Sequence, residues 1–322
     1  MNNIAIIGTG AYGLSLALSL VKKNKNVKMW SEKADLINKN RKNSGILPNV
    51  EIPDCIEISS NYEYILNNVD IVIIAVAAKY VDSVTKELNK YDIKDKYFCI
   101  VSKGIEQNTC DFVSEVFKRN IKSKKLAIIS GPSFAIDIAN NEPIGLSIAS
   151  KNKQTLDIIK KTVESDTIKL RPSTDLIGIE LCGSIKNVIA IASGILEGLG
   201  YSESTRSFLI TESLHDIKSL IYGLGGNKKT ILSFAGVGDL LLTATSTKSR
   251  NYSFGLLVGK KDVSEVKKYL ETTTVEGYYT LKSIYTLIKR KKIKMPIIDL
   301  IYKIVIKDEN PEKLAEFLIK KA

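Results

Sequence analysis

The sequence predicts an α/β protein in two parts: a doubly wound parallel sheet over residues 1–174, then an all-helical domain over residues 175–322. Three observations predict it. Strand-like and helix-like runs alternate through the first half of the chain. The strand-like runs are apolar throughout, as in IVIIAV at 71–76, which suits strands covered on both faces. From about residue 175 the strand signals stop and long helical patterns take over. A chain of 322 residues is long enough for two domains, each with its own core.

Taken in order, Asn3–Ile7, Asn26–Trp30, Ile71–Val76, Tyr97–Val101, Leu126–Ile129 and Pro143–Ser150 are short, β-branched, apolar runs and read as strands. Ala11–Lys23, Lys79–Leu88 and Asp111–Arg119 carry the helical period. Arg171-Pro172-Ser173-Thr174 marks the junction, with Ser173 or Thr174 placed to cap the next helix. Helical segments follow over 175–197, 204–221, 263–271, 276–290, 297–306 and 311–321.

Composition excludes several functions. Lys and Arg exceed Asp and Glu by 12, but only six of the 47 basic residues are arginine, and the lysines are dispersed along the chain. Nucleic-acid binding calls for clustered basic residues interleaved with aromatics, so the excess reads as background composition. The run Lys289–Lys294 closes a helical pattern and reads as a solvated helix end. Cys55, Cys99, Cys110 and Cys182 lack metal or disulfide spacing, so reduced thiols in a cytoplasmic protein are expected, with no metal. No stretch of about eighteen unbroken apolar residues predicts a membrane span. The single histidine, His215, makes lysine or a carboxylate the better candidate for proton transfer.

Gly8-Thr9-Gly10-Ala11-Tyr12-Gly13 fits G-x-G-x-x-G between the first strand and the first helix. Gly8 permits the tight turn, Gly10 lets backbone approach a pyrophosphate, and Gly13 allows close helix–strand packing; the helix N-terminus supplies N–H groups and positive dipole. A Rossmann-type dinucleotide-binding domain is therefore expected. Glu32, nineteen residues after Gly13, is placed to accept from the adenosine ribose hydroxyls, which favours NAD over NADP. Alternatively Glu32 is a surface residue and Lys33 beside it greets a phosphate.

Windows poor in charge point to the chemistry. Residues 172–205 hold one basic residue, Lys186, on a helical face shared with Ile179, Cys182, Ile189, Ala190 and Ser193. Such a lysine either snorkels or functions, and desolvation favours its exchanging protons near neutral pH. Ile231–Thr247 keeps only Asp239, whose carboxylate needs a partner; Lys186 is the obvious one, the alternative being that Asp239 simply caps a helix starting at Leu240. Lys103 follows an apolar strand, at the end that faces a ligand crevice in such sheets. Ser130-Gly131-Pro132-Ser133 offers turn N–H groups and a hydroxyl, or is a tight turn only. Ser249-Arg250-Asn251 offers a hydroxyl, a guanidinium and an amide for a phosphate.

In order along the chain, IAIIGTGAYG, SKGIE at 102–106, SGPSFA at 130–135, SIKNVIAIASGILEGLG at 184–200, AGVGDLLLTATSTKSRN at 235–251 and VEGY at 275–278 resemble the bacterial NAD(P)-dependent glycerol-3-phosphate dehydrogenases. The resemblance implies reversible hydride transfer between NAD(P)H and dihydroxyacetone phosphate, giving sn-glycerol 3-phosphate for phospholipid synthesis, in a cytoplasmic homodimer. It implies that Lys186 is the catalytic lysine, with Lys103 and Asp239 beside it at the substrate end. Substrate contacts fall on Lys103, Gly131, Ser133, Lys186, Asp239, Thr243, Ser249, Arg250 and Asn251. Cofactor contacts fall on the glycine loop with Ala11 and Tyr12, and on Lys103, Ala135, Arg250 and Glu276. The chain departs from the family pattern at Ala77, Ser204 and Glu212-Ser213, and no arginine follows Trp30. Those departures keep two other readings open, a related dehydrogenase for another phosphorylated or carboxylated hydroxy compound and an inactive cofactor-binding sensor.

Overall fold

A computed structural model describes residues 3–43 and 45–320. Residues 1, 2, 44, 321 and 322, and with them the outer ends of both expected domains and of the helix expected over 311–321, lie outside the described residues. The chain divides into two compact units, Met1–Lys103 with Val113–Leu176, and Gly104–Phe112 with Ile177–Ala322.

The first unit runs β1 (Asn3–Ile7), α1 (Ala11–Lys22), β2 (Asn26–Trp30), α2 (Ala34–Lys39), β3 (Ile56–Ser59), α3 (Tyr62–Leu66), β4 (Ile71–Ile74), α4 (Val81–Leu88), β5 (Tyr97–Ile100), α5 (Val113–Asn120), β6 (Leu126–Ser130), α6 (Ala135–Ala139), β7 (Ile144–Ala149), α7 (Lys153–Val163) and β8 (Ile168–Ser173). The strands form one eight-stranded sheet in the order β3-β2-β1-β4-β5-β6-β7-β8. Connections from β1 go one way to β2 and β3, and the chain then returns to add β4 on the other side of β1. That reversal puts the end of β1, where the glycine loop begins, at a topological switch point. β1, β4 and β5 are buried along nearly their whole length, which explains their unbroken apolar sequences.

The sheet is parallel, as expected, save at one pair. β6 and β7 run antiparallel, with Ile128 opposite Ala149, while the other neighbours are parallel. Two strands escaped the sequence reading. β3 is only four residues long, and β8 is an edge strand with alternate residues exposed and Pro172 within it. The run read as a junction, Arg171–Thr174, is largely the end of this edge strand, where a missing N–H costs no ladder bond.

The second unit contains α8 (Leu176–Gly198), α9 (Glu203–Gly223), α10 (Asp239–Ala244), α11 (Arg250–Gly259), α12 (Val263–Thr272), α13 (Glu276–Arg290), α14 (Pro296–Lys307) and α15 (Lys313–Lys320). Helix α8 is long and apolar enough to span a membrane by length and composition, but 94% of its most apolar stretch is buried in the protein, so it is a core helix. Helix α11 lies against it at backbone contact. A Cβ built on Gly194 would sit 2.1 Å from the carbonyl oxygen of Tyr252, and one on Gly255 would sit 2.0 Å from that of Ile191. Gly198 and Gly259 repeat the pattern one turn on. Four glycines on two facing helices therefore let α11 approach α8 more closely than any side chain would allow.

The loop Gly104–Phe112 belongs to this helical unit, which a single boundary at residue 174 does not anticipate. Its buried Glu106 carboxylate accepts from the backbone N–H groups of Asn108 (3.0 Å) and Thr109 (2.7 Å) and from the Thr109 hydroxyl. Arg290 at the end of α13 donates to the Thr109 carbonyl at 2.9 Å.

Candidate active site

In the sheet unit, the glycine loop joins β1 to α1 as its sequence requires. Gly8 adopts φ +114°, and a Cβ there would lie 2.7 Å from the Ala75 carbonyl oxygen on the neighbouring chain segment. A Cβ on Gly13 would lie 2.5 Å from the Gly8 carbonyl oxygen, so this glycine is what lets the helix sit on the strand. Gly10 differs. It caps the twelve-residue helix α1 with no side-chain cap, and a Cβ there would meet nothing within 4 Å. Protein packing does not demand a glycine at that point; room for a ligand group at the helix N-terminus does, and this fits a dinucleotide pyrophosphate. Thr9 Oγ1 donates to Ser31 Oγ at 2.7 Å, tying the loop to the end of β2. Beside it opens a cleft of about 490 Å³ whose lining includes Gly8, Thr9, Trp30, Glu32 and Lys33.

Lys103 follows β5, and its Nζ donates to the Gly131 carbonyl at 3.0 Å. Gly131 and Ser133 lie in the turn after β6, and the Ser133 hydroxyl is 3.3 Å from the Tyr12 hydroxyl on α1. Ala11, Tyr12 and Ala135, the first residue of α6, are half-buried against the core. Thus Lys103, Gly131, Ser133, Tyr12 and Ala135 gather around the α1 and β6 turns of this unit.

In the helical unit, Lys186 stands on α8 and is 9% exposed, among Ile179, Cys182, Ile189, Ala190 and Ser193, which are nearly or wholly buried. Its Nζ is 2.5 Å from Oδ1 of Asp239, which is fully buried, and 2.8 Å from Thr243 Oγ1. The Thr243 hydroxyl donates in turn to the Asp239 carbonyl at 2.7 Å. Asp239 is the first residue of α10, the cap being Gly238, so its side chain serves Lys186 and does not cap the helix. A kinked turn over Phe234–Gly238, with Gly236 at non-helical φ −84° and ψ −109°, delivers it there, and Ser233 accepts from the Gly236 N–H. An ammonium carries three donors, of which Asp239 and Thr243 take two in fixed directions.

The triplet after α10 divides its work. Ser249 caps α11, accepting from the Tyr252 N–H at 3.3 Å. Asn251 is buried, accepts from the Gly277 N–H at 2.7 Å and donates from Nδ2 to Asn187 Oδ1 at 3.0 Å. Arg250 between them is exposed. Glu276 begins α13 one residue before Gly277, which brings it beside this network. The Gly277 N–H can only donate, so it fixes the orientation of Asn251, and Asn251 fixes that of Asn187. Asn187 Nδ2 is left as a buried donor without a hydrogen-bond partner, next in sequence to Lys186. Asn187 and Gly277 were not singled out from the sequence, though both lie inside quoted motifs. Their role depends on a hydrogen-bond chain over residues 187, 251 and 277 that no local pattern displays.

Among the described residues, no group of three or more His, Cys, Asp or Glu side chains could hold a metal. His215 is exposed on α9. The helical unit thus offers a buried, carboxylate-held ammonium near an exposed guanidinium, and the sheet unit offers a dinucleotide cradle. Proton transfer to a carbonyl oxygen and anchoring of an anionic group are the chemistry these residues can perform.

Comparison with known proteins agrees. The family model described as NAD-dependent glycerol-3-phosphate dehydrogenase N-terminus matches residues 3–156, and the corresponding C-terminus model matches residues 175–316. A glycerol-3-phosphate dehydrogenase (NAD(P)+) of Fusobacterium nucleatum is 33% identical, the match covering 99% of this chain and 97% of that protein. The Bacillus subtilis protein of the same name is 32% identical over 99% of this chain and 94% of its own. A crystal structure of glycerol-3-phosphate dehydrogenase from Coxiella burnetii superposes with a TM-score of 0.92 at 30% identity, covering 99% of this chain and 98% of that one. D-mandelate dehydrogenase, at 13% identity and a TM-score of 0.64, shares the fold.

Proposed function

From the premise that this chain belongs to the NAD-dependent glycerol-3-phosphate dehydrogenase family, we infer that it is an NAD(P)-dependent oxidoreductase interconverting dihydroxyacetone phosphate and sn-glycerol 3-phosphate. The observation that carries the reading is the buried Lys186–Asp239–Thr243 group, 2.5 and 2.8 Å about one ammonium. When bound, the reduced nicotinamide supplies the hydride that C2 of the ketone accepts.

Lys186 donates its proton to the C2 oxygen as charge develops there, and takes it back in the alcohol-oxidising direction. Asp239 accepts from that ammonium and points it, and Thr243 fixes the second N–H direction. Lys103 joins them at the carbonyl end of the substrate. Arg250 holds the phosphate as a guanidinium, with Ser249 setting the first turn of α11 beneath it and Asn251 anchoring that turn to Asn187 and Gly277. Gly131 and Ser133 contribute turn and hydroxyl contacts to the substrate. Gly8, Gly10, Ala11, Tyr12 and Gly13 hold the pyrophosphate, Glu32 accepts from the ribose, and Lys103, Ala135, Arg250 and Glu276 complete the cofactor contacts. A cytoplasmic enzyme accords with four cysteines that form no disulfide among the described residues, three of them buried. A homodimer and a place in supplying glycerophospholipid precursors rest on the family resemblance.

Arg250→Ala is expected to raise the KM for dihydroxyacetone phosphate about 10- to 100-fold, the worth of a charge-assisted bond of about 1.5–3 kcal/mol, with a smaller change in kcat. Steady-state kinetics check it; an unchanged KM removes Arg250 from the phosphate site. Gly8→Ala forces a side chain into a left-handed conformation at a cost of about 1–3 kcal/mol. It is expected to weaken NADH binding at least about tenfold by fluorescence titration. The functional reading is tested by assaying the purified protein with dihydroxyacetone phosphate and each reduced cofactor. Oxidation of cofactor only with some other phosphorylated or carboxylated ketone would replace the substrate, and binding without turnover would make the protein a sensor.

A further inference from the structure

The cleft beside the glycine loop carries a second carboxylate, contributed by a different element from the one that provides Glu32. Glu87, on the last turn of α4, lines the same cleft of about 490 Å³ as Glu32. The Tyr62 ring lines the same cleft, stacked on Trp30 with centroids 4.4 Å apart and planes 26° from parallel. Trp30 is itself pinned through its indole N–H to the Ser60 carbonyl at 2.9 Å. Burial first, then the Glu87 carboxylate, then that of Glu32 push the Tyr62 phenol well above its ordinary value. Both carboxylates therefore act on the Tyr62 phenol of the cleft wall. Lys33 is the only cation among the described residues that line the cleft, and no arginine is among them. Outside the lining, Lys90 Nζ lies 2.6 Å from Glu87 Oε2, and Lys79 Nζ lies 4.8 Å from the centroid of the Tyr80 ring.

We propose that this chain selects NAD(H) over NADP(H), and that Glu32 and Glu87 together are the specificity-determining residues. The proposal rests on the reading that this cleft receives the adenosine end of the cofactor. A ribose diol presents two O–H donors, and a carboxylate at the end of β2 accepts both. A 2′-phosphate presents acceptors and close to two negative charges in the same place. It would meet two carboxylates, with the Lys33 ammonium as the one lining cation to offset them. Glu87 adds a second carboxylate to the cleft wall, and because its pair with Lys90 is exposed and screened by solvent, it still disfavours a phosphate there.

The test measures dissociation constants of NADH and NADPH for the intact protein by fluorescence titration, independently of turnover. The wild type is expected to bind NADH at least about tenfold more tightly. Glu32→Gln and Glu87→Gln should each narrow that ratio, the double substitution should bring it near unity, and Lys33→Ala should widen it. Equal or tighter binding of NADPH by the wild type overturns the proposal while leaving the cleft's assignment intact. A ratio unmoved by Glu87→Gln removes Glu87 from the discrimination and overturns the two-carboxylate account. Binding of neither cofactor overturns the assignment of the cleft and the proposal with it.

Discussion

Lys186→Ala is expected to lower turnover with dihydroxyacetone phosphate at least about a hundredfold, the scale on which a positioned general acid acts. NADH binding should be largely kept, because the glycine loop and the Glu32 cleft belong to the sheet unit and Lys186 to the helical one. The substitution also leaves Asp239 without its ammonium at a fully buried position. An uncompensated buried charge costs about 3–5 kcal/mol, so the single variant should also melt at a lower temperature. Stability and chemistry are separable. Removing both charges in Lys186→Ala/Asp239→Ala should recover part of the lost stability with no recovery of turnover. A double variant that regained turnover would show that the pair is structural and that the proton comes from elsewhere.

The second large effect is expected from a methyl group. Gly255→Ala places a Cβ 2.0 Å from the Ile191 carbonyl oxygen, a backbone atom in the middle of a buried helix that has no side chain to swing aside. Helices α8 and α11 must then separate. The cost should reach the upper end of the range for overpacking, about 3 kcal/mol, and lower the melting temperature by about 10 °C. Because α11 begins with Arg250 and Asn251 while α8 carries Lys186 and Asn187, the same shift pulls the turn proposed to bind phosphate away from Lys186. The surviving folded protein should therefore show a raised KM for dihydroxyacetone phosphate. Gly223→Ala, where a Cβ meets only the movable tip of the Ile293 side chain at 3.1 Å and no backbone atom, serves as the control. A melting temperature equal to that of the wild type in Gly255→Ala would contradict the close approach of the two helices.

These two sites also show what could be read from sequence. Lys186 was legible because it is the one basic residue over 172–205 and stands on an apolar helical face, and burial exerts that selection directly: a core helix tolerates no charge that lacks a partner. Asp239 was legible for the same reason, and the pairing of the two followed from each needing the other. β1, β2 and α1 were read nearly to the residue, since buried parallel strands leave continuous apolar runs and a glycine loop marks where strand gives way to helix. Helix α11 was not read. Its sequence RNYSFGLLVG holds two glycines that lower helix propensity, and those same glycines permit contact with α8. Local preference and tertiary packing pull in opposite directions there, and packing wins. The antiparallel β6–β7 pair was hidden because the direction of a strand leaves no mark on its composition. Asn187 and Gly277 were hidden because their value arises from Asn251, distant from both in the chain. The motif Ser249-Arg250-Asn251 looked like three ligand groups; folded, it is a cap, an exposed guanidinium and a buried anchor.

The central claim is that the Lys186 ammonium, held by Asp239 and Thr243, protonates the C2 oxygen of dihydroxyacetone phosphate during reduction. Its most direct test is the rate of reduced-nicotinamide oxidation by dihydroxyacetone phosphate, measured side by side for the wild-type protein and Lys186→Ala at saturating cofactor. The account predicts steady turnover to sn-glycerol 3-phosphate in the wild type and a rate at least about a hundredfold lower in the variant. Near-equal rates in the two proteins would contradict it.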